Sequence, residues 1–277
     1  MKRPRLEYEA DPQNPSNKAL KMLFPSIYLP KDNPRKPLGE DGHFICGDEQ
    51  TIGVADGVGG WARYGIDAGD YARELMFNSS VAVLSRTSWS IDPKSVIEEA
   101  FSLTKVPGSS TALVLTHSGG VLRSANVGDS GFMLFRDRKL IYRSLTQLQG
   151  FNCPYQLGNS ETSHRPGCAA QASIKVAEGD VLVVGTDGLF DNMFAEKMEK
   201  IMEREWAKKM NNIECNWTSV ETEIENLANL IANTALYNSF KKSGVSPFSK
   251  AAERAGKFHS GGKIDDITVI VAKFVMR

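Results

Sequence analysis

The stretch Gly53-Val54-Ala55-Asp56-Gly57-Val58-Gly59-Gly60-Trp61 most constrains what this chain can fold into. An apolar run ends in a carboxylate, and the glycines that follow let the backbone turn sharply and leave the carboxylate unshielded. The corner recurs. Val181-Leu182-Val183-Val184-Gly185-Thr186 delivers Asp187-Gly188, and in Lys263-Ile264-Asp265-Asp266-Ile267-Thr268-Val269-Ile270 an acidic pair stands at the mouth of a third apolar run. Three strand ends carrying Asp, far apart in sequence, can gather several hard oxygen ligands around one point. The corners run from Asp56 to Asp266 and must converge, so one domain is expected.

Composition agrees with that reading. With 277 residues, 41% of them hydrophobic, the chain can bury a sizeable core. Lys plus Arg equals Asp plus Glu at 33 each, which argues against a nucleic-acid surface or a polybasic membrane patch. No run approaches the roughly 18 to 20 apolar residues of a membrane span. Lys2, Arg3 and Arg5 are followed by Glu7, Glu9 and Asp11 without an apolar segment, which fits neither a signal peptide nor a transit peptide. The cytoplasm or nucleus is the expected location, with an organelle left open. Cys46, Cys153, Cys168 and Cys215 show no C-x-x-C spacing and read as free thiols of a reducing compartment. Asn78-Ser79-Ser80 and Asn216-Trp217-Thr218 match the glycosylation sequon but carry little weight without a secretory route.

Prolines at 12, 15, 25, 30, 34 and 37 disfavour helix and predict an extended arm over residues 1–37, ahead of a single domain over 38–277. Residues 44–55 predict a hairpin turning at Gly47-Asp48-Glu49-Gln50, which puts Asp41 at the start of the strand antiparallel to the one ending in Asp56 and makes it a fourth candidate ligand. Helical spacing follows from Asp67 to Arg86 and from Asp92 to Leu103, each with an Asp N-cap. Residues 109–145 read as a meander, with Asp129 at a Gly-Asp-Ser turn where capping the turn and binding a metal are equally good explanations. Residues 146–178 lack periodicity and are expected to form a flap near the site. Met198, Ile201, Met202 and Trp206, then Val220, Ile224, Leu227, Ile231 and Ala235, predict two helices with core-facing stripes. A polar loop over 241–263 and a closing strand over 264–274 complete the chain.

Aspartates on strand ends with no His or Cys beside them point to Mg²⁺ or Mn²⁺, because hard cations take oxygen ligands and zinc favours nitrogen or sulfur. Two such ions about 3.5 to 4 Å apart can hold a hydroxide and clamp a phosphoryl group, so phosphoester hydrolysis is the chemistry expected.

The motifs Glu40-Asp41-Gly42-His43, Val54-Ala55-Asp56-Gly57-Val58-Gly59-Gly60, Gly108-Ser109-Ser110-Thr111-Ala112, Asn126-Val127-Gly128-Asp129-Ser130, Thr186-Asp187-Gly188-Leu189-Phe190-Asp191 and Asp265-Asp266-Ile267-Thr268-Val269 resemble, in order, those of the protein phosphatase 2C family of metal-dependent Ser/Thr phosphatases. Ala55-Asp56-Gly57-Val58-Gly59-Gly60-Trp61 and Phe151-Asn152-Cys153-Pro154-Tyr155-Gln156-Leu157 are further similar to the subgroup of the mitochondrial phosphatase and its plant and fungal relatives. The resemblance implies an α+β fold, a four-layer α-β-β-α sandwich with two central antiparallel sheets and a metal cleft at one end. It implies a monomer acting on phosphoprotein substrates, with phosphoserine or phosphothreonine attacked by a water bridged between two ions of Mg²⁺ or Mn²⁺. Asp56 would bridge both ions, Gly57 would offer its carbonyl, Asp187 and Asp265 would be ligands, and Asp41 would act through water. Asp129 and Asp191 would form a weaker third site, Asp266 would lie beside the ligands, and Lys36 would stand where the family has a phosphate-binding Arg. Val58 departs from the family, whose conventional members place a His there as general acid; His43 is the other side chain considered for that role, and a structural role is preferred for it. A binding or regulatory module without catalysis, and a hydrolase of small phosphoesters, are the alternatives; the complete set Asp41, Asp56, Asp187 and Asp265 argues for activity.

Overall fold

Alternation along the apolar runs decides the layering. The computed structural model describes residues 19–211 and 219–277, so Cys215, the sequon at Asn216 and the first half of the proline-containing arm lie outside the described residues. Strands β1 (Leu20–Leu23), β2 (Ser26–Leu29), β3 (Asp41–Cys46) and β4 (Thr51–Asp56) precede helices α1 (Ala68–Leu84) and α2 (Pro93–Leu103). Then come β5 (Ser109–Ser110), β6 (Ala112–Ser118), β7 (Val121–Val127), β8 (Gly131–Arg136), β9 (Lys139–Arg143), β10 (Leu148–Gly150), β11 (Cys153–Pro154), β12 (Leu157–Gly158), β13 (Ala170–Lys175) and β14 (Val181–Gly185). The single turn α3 (Asp187–Phe190), helices α4 (Ala195–Asn211), α5 (Val220–Ser239) and α6 (Pro247–Arg254), and strand β15 (Ile267–Met276) finish the chain.

One antiparallel sheet runs β13-β7-β6-β4-β3; the other runs β1-β15-β14-β8-β9, with β2 also on β15. Because side chains alternate across a strand, each strand feeds two cores. Ile52 and Val54, Leu113 and Leu115, Phe132 and Leu134, Leu182 and Val184, and Ile270, Ala272 and Phe274 meet between the sheets. The intervening residues Ala55, Ala112 and Val114 face α1 and α2, while Met133, Val183, Val269 and Val271 face α3, α4 and α5. Four layers result, the expected α-β-β-α sandwich, and each fully buried Leu, Ile, Val or Phe contributes about 1.5–3 kcal/mol of transfer free energy. The Asp67 carboxylate caps α1 through the Gly69 amide and Asp92 caps α2 through Ser95, as the sequence predicts.

Several expectations change. Residues 20–29, within the proline-containing arm, pair with β15, so this sheet begins inside the arm. The meander divides: β6 and β7 stay in the first sheet, while β8 and β9 join the second, with the crossing at Gly128-Asp129-Ser130. The flap ends earlier than expected, because Ala170–Lys175 is an edge strand on β7. Residues 247–254, expected as loop, form α6, with Ser246 and Ser249 exchanging hydrogen bonds as a capping box. Trp206 is not a core residue; it is 48% exposed, with the Arg138 guanidinium over its ring at 4.4 Å. Cys46, Cys153 and Cys168 are free thiols.

Candidate metal centre

The strand-end aspartates converge where the two sheets terminate side by side. Asp41 and Asp56 are partners at the last rung of β3 and β4. The Asp56 main chain is locked from the neighbouring strand: its amide donates to Thr111 Oγ1 at 2.9 Å, its carbonyl accepts from the Thr111 amide at 2.9 Å, and the Thr111 hydroxyl shares a 2.7 Å hydrogen bond with Ser130. The chain turns at Gly57, where α1 comes so close that a Cβ would lie 2.5 Å from the Ala68 carbonyl oxygen and 2.7 Å from that of Glu40. No side chain fits there, which explains the glycine after the aspartate.

Asp41 ties the sheets together. Its Oδ2 accepts from the Thr186 hydroxyl at 2.8 Å and the Thr268 hydroxyl at 2.7 Å, both from the opposite sheet's strand ends. Its Oδ1 is buried with no hydrogen-bond partner, and so are Asp129 Oδ1 and Asp187 Oδ1. Burial, then the charges of Asp187, Asp41, Asp265 and Asp129, push the Asp56 carboxyl well above the usual carboxylate range. Burial raises Asp41 as well, opposed by its threonine hydrogen bonds and reinforced by Asp266 and Asp187. Burial and then Asp187 raise Asp129, and the same causes push Asp191 up to about 7. The sequence-predicted carboxylates therefore share one field, and each disfavours the charge of the others.

Two lysines partly offset that charge, and sequence patterns identify neither of them. Lys263 Nζ donates to Asp187 Oδ2, to Asp191 Oδ2 at 2.9 Å and lies 3.0 Å from Asp265 Oδ2. Lys31 Nζ lies 2.8 Å from Glu40, 3.2 Å from Asp265 and 3.2 Å from Asp266. Burial acts to raise Asp265, but Lys263 and then Lys31 hold it below the usual range. Asp266 accepts from the Lys31 amide at 2.8 Å and the Glu40 amide at 3.1 Å, so it staples the arm to β3. Lys36 pairs with Glu40 at 2.5 Å and lies 3.8 Å from Asp67, at the rim rather than among the strand-end aspartates. His43 sits 3.3 Å from the Ser26 hydroxyl, with its ring centroid 6.3 Å from that of Tyr28. Thr111, Thr186 and Thr268 are further supporting residues; the last two are legible only as hydroxyls flanking the Asp corners.

Among the described residues, no three His, Cys, Asp or Glu side chains already close on a single point as a cation cage; Asp187, Asp191 and Asp265 each meet Lys263 instead. The donor set nevertheless fits a hard divalent ion. It consists of carboxylates, three of their oxygens are buried without a donor, and their mutual repulsion favours a multivalent cation. The flap closes one side: the Gln147 amide donates to the Gly128 carbonyl at 2.9 Å and Gln147 Oε1 accepts from the Gly128 amide at 3.1 Å, anchoring residues 147–155 to the turn that carries Asp129.

No family model matches the chain. Over 255 residues it is 42% identical to the probable protein phosphatase 2C 55 of Arabidopsis thaliana, an alignment covering 92% of this chain and 52% of the relative, so the chain spans about half that relative's length. It is 37% identical over 254 residues to protein phosphatase PTC7 homolog fig of Drosophila mojavensis, covering 84% of this chain and 77% of the relative. The solved structure of the photosystem II phosphatase PBCP matches with a TM-score of 0.78 at 28% identity, over 91% of this chain and 98% of that one.

Proposed function

Because the chain belongs to the protein phosphatase 2C family, being also 36% identical to the putative protein phosphatase 2C 24 of Oryza sativa subsp. japonica over 81% of that relative, we propose that it is a metal-dependent protein serine/threonine phosphatase whose substrates are phosphoproteins. The observation that carries this reading is the gathering of Asp41, Asp56, Asp129, Asp187 and Asp265 from both sheets, with three buried carboxylate oxygens left without a donor.

Asp56, the Gly57 carbonyl, Asp187 and Asp265 would hold Mg²⁺ or Mn²⁺. When bound, such ions generate a nucleophile from water at neutral pH and offset charge on the phosphoryl oxygens. Asp41 is held in one orientation by Thr186 and Thr268, and its Oδ1, buried without a donor, would accept a hydrogen bond from a water at the site. Lys36 and Lys31, both engaged with Glu40 at the rim, are the cations available to a phosphate entering the cleft. Each is a point charge without the two-pronged geometry of Arg. Val58 has no proton to give, and His43 is engaged with Ser26, so water supplies the proton to the leaving alkoxide.

The test is phosphate release from a phosphothreonine peptide and from a small aryl phosphate, each with Mn²⁺ and with excess EDTA. Release from the peptide that EDTA abolishes and Mn²⁺ restores supports the proposal. Release from the aryl phosphate alone would make the protein a small-phosphoester hydrolase. No release from either, by folded protein, would leave a binding module.

A further inference from the structure

Lys263 is held where a surface lysine has no reason to be. Its ammonium touches Asp187, Asp191 and Asp265 together, and its side chain is only 15% exposed. Its main chain is fixed on both sides by Asn192, which accepts from the Lys263 amide at 3.0 Å and donates to its carbonyl at 2.8 Å. The preceding Gly262 lies against α5 so closely that a Cβ would meet the Asn238 carbonyl oxygen. Above the ammonium sits the Phe248 ring, its centroid 5.3 Å from Nζ, and Phe248 packs on Phe151 of the flap at 5.1 Å and on His259 at 4.7 Å. The lysine is thus delivered by a rigid loop under an aromatic cover, and little of its freedom remains to be lost when it meets the carboxylates.

Its place within the cluster is informative. Asp191 gives its Oδ2 to Lys263, whereas Asp41, Asp129 and Asp187 each keep one buried oxygen without a donor. The ammonium therefore meets one oxygen each of Asp187, Asp191 and Asp265, while Asp41 Oδ1, Asp129 Oδ1 and the second oxygen of Asp187 are buried without a donor. A divalent ion entering beside Asp191 would have to displace the ammonium or stand within a few ångströms of it, and like charges at that separation repel strongly in a buried site.

We propose that Lys263 is a resident cation that takes the place of the weaker third divalent ion. Asp191 then serves as a partner of Lys263 and not as a metal ligand, and the protein loads two ions. Lys263 is a positioning residue, acting through Asp187 and Asp265. The inference rests on the metal-dependent reading above and concerns this chain's own residues.

The test is Mn²⁺ binding to metal-free protein, read by calorimetry and by equilibrium dialysis, for the wild type, Lys263→Met and Lys263→Arg. Methionine keeps much of the length and the contact with Phe248 while removing the charge. Expected are two ions for the wild type and for Lys263→Arg. Lys263→Met gains a further ion, or binds its weakest ion about tenfold or more tighter. Metal-free Lys263→Met melts below the wild type and gains more from Mn²⁺. Folded Lys263→Met with wild-type stoichiometry and affinities would overturn the proposal. If Lys263→Met does not fold without metal, Asp191→Asn decides: two ions still bound supports the proposal, and loss of an ion identifies Asp191 as a ligand and overturns it. A wild type that binds no Mn²⁺ overturns both this inference and the phosphatase reading, whereas binding unaffected by Lys263 overturns the inference alone.

Discussion

Asp41 and Asp56 are backbone partners on the last rung of the β3–β4 ladder, yet the Asp41 carboxylate is held entirely from the other sheet, by the hydroxyls of Thr186 and Thr268. The candidate metal centre is therefore also where the sandwich is stitched shut, so substitutions there are expected to alter stability as well as metal-dependent turnover.

Asp56→Asn should separate the two. A carboxyl held above its ordinary range is less favourably charged in the folded protein than in the unfolded chain, so at neutral pH Asp56 opposes folding when no metal is bound. Removing its charge should raise the melting temperature of metal-free protein by about 2 °C or more. Turnover should fall by more than about a hundredfold, beyond what loss of a supporting neighbour costs. Thermal melts in EDTA check the first outcome; a lower melting temperature would contradict the repulsion described here.

Thr268→Val should show the opposite pattern. Its hydroxyl is one of two donors to Asp41 Oδ2, and valine keeps the shape but removes the hydrogen bond. Leaving a buried carboxylate short of a donor costs about 1–3 kcal/mol, measurable as a lower urea midpoint with unchanged slope. Thr268→Ser should recover most of it.

Gly57→Ala tests the close approach of α1. The added methyl would face the Ala68 and Glu40 carbonyl oxygens, which are backbone and have little room to move. The expected loss is about 1–3 kcal/mol of stability, with Mn²⁺ binding weakened because Asp56 must shift. Chemical denaturation and Mn²⁺ calorimetry on the same sample report both.

His43→Ala should keep most of the activity. The ring is engaged with Ser26 and packs near Tyr28, so the loss should stay below about tenfold. A fall of about a hundredfold or more, the low end for a general acid, would assign the leaving-group proton to His43.

Much of the architecture was legible because it follows from local patterns. The unbroken apolar runs of Thr51–Asp56 and Val181–Gly185 mark strands buried on both faces, and the Asp corners mark their ends. Ala170–Lys175 escaped notice because its alternation is faint: the half-buried positions are Ala170, Ala172 and Ile174, and two alanines carry little hydrophobic contrast against Gln171, Ser173 and Lys175. Helix α6 is short and polar, and its Ser246-Pro247 start signal is easily read as loop. Trp206 has the correct helical spacing, but it extends beyond the layer that covers Met198 and Ile201, so periodicity alone placed it wrongly. The carboxylates could be named from sequence, but their cations could not. Lys263 reaches Asp187 across 76 positions and Lys31 reaches Asp265 across 234, and only the assembled sandwich brings them together.

Whether strand-end aspartates of both sheets hold divalent ions around Asp56 can be read from anomalous scattering by crystals grown with Mn²⁺. The expectation is two peaks, both within bonding distance of the Asp56 carboxylate, with Asp187 and Asp265 among the remaining ligands and Lys263 still beside Asp191. Well-ordered crystals with no peak in this cleft, or with manganese bound elsewhere, would contradict it.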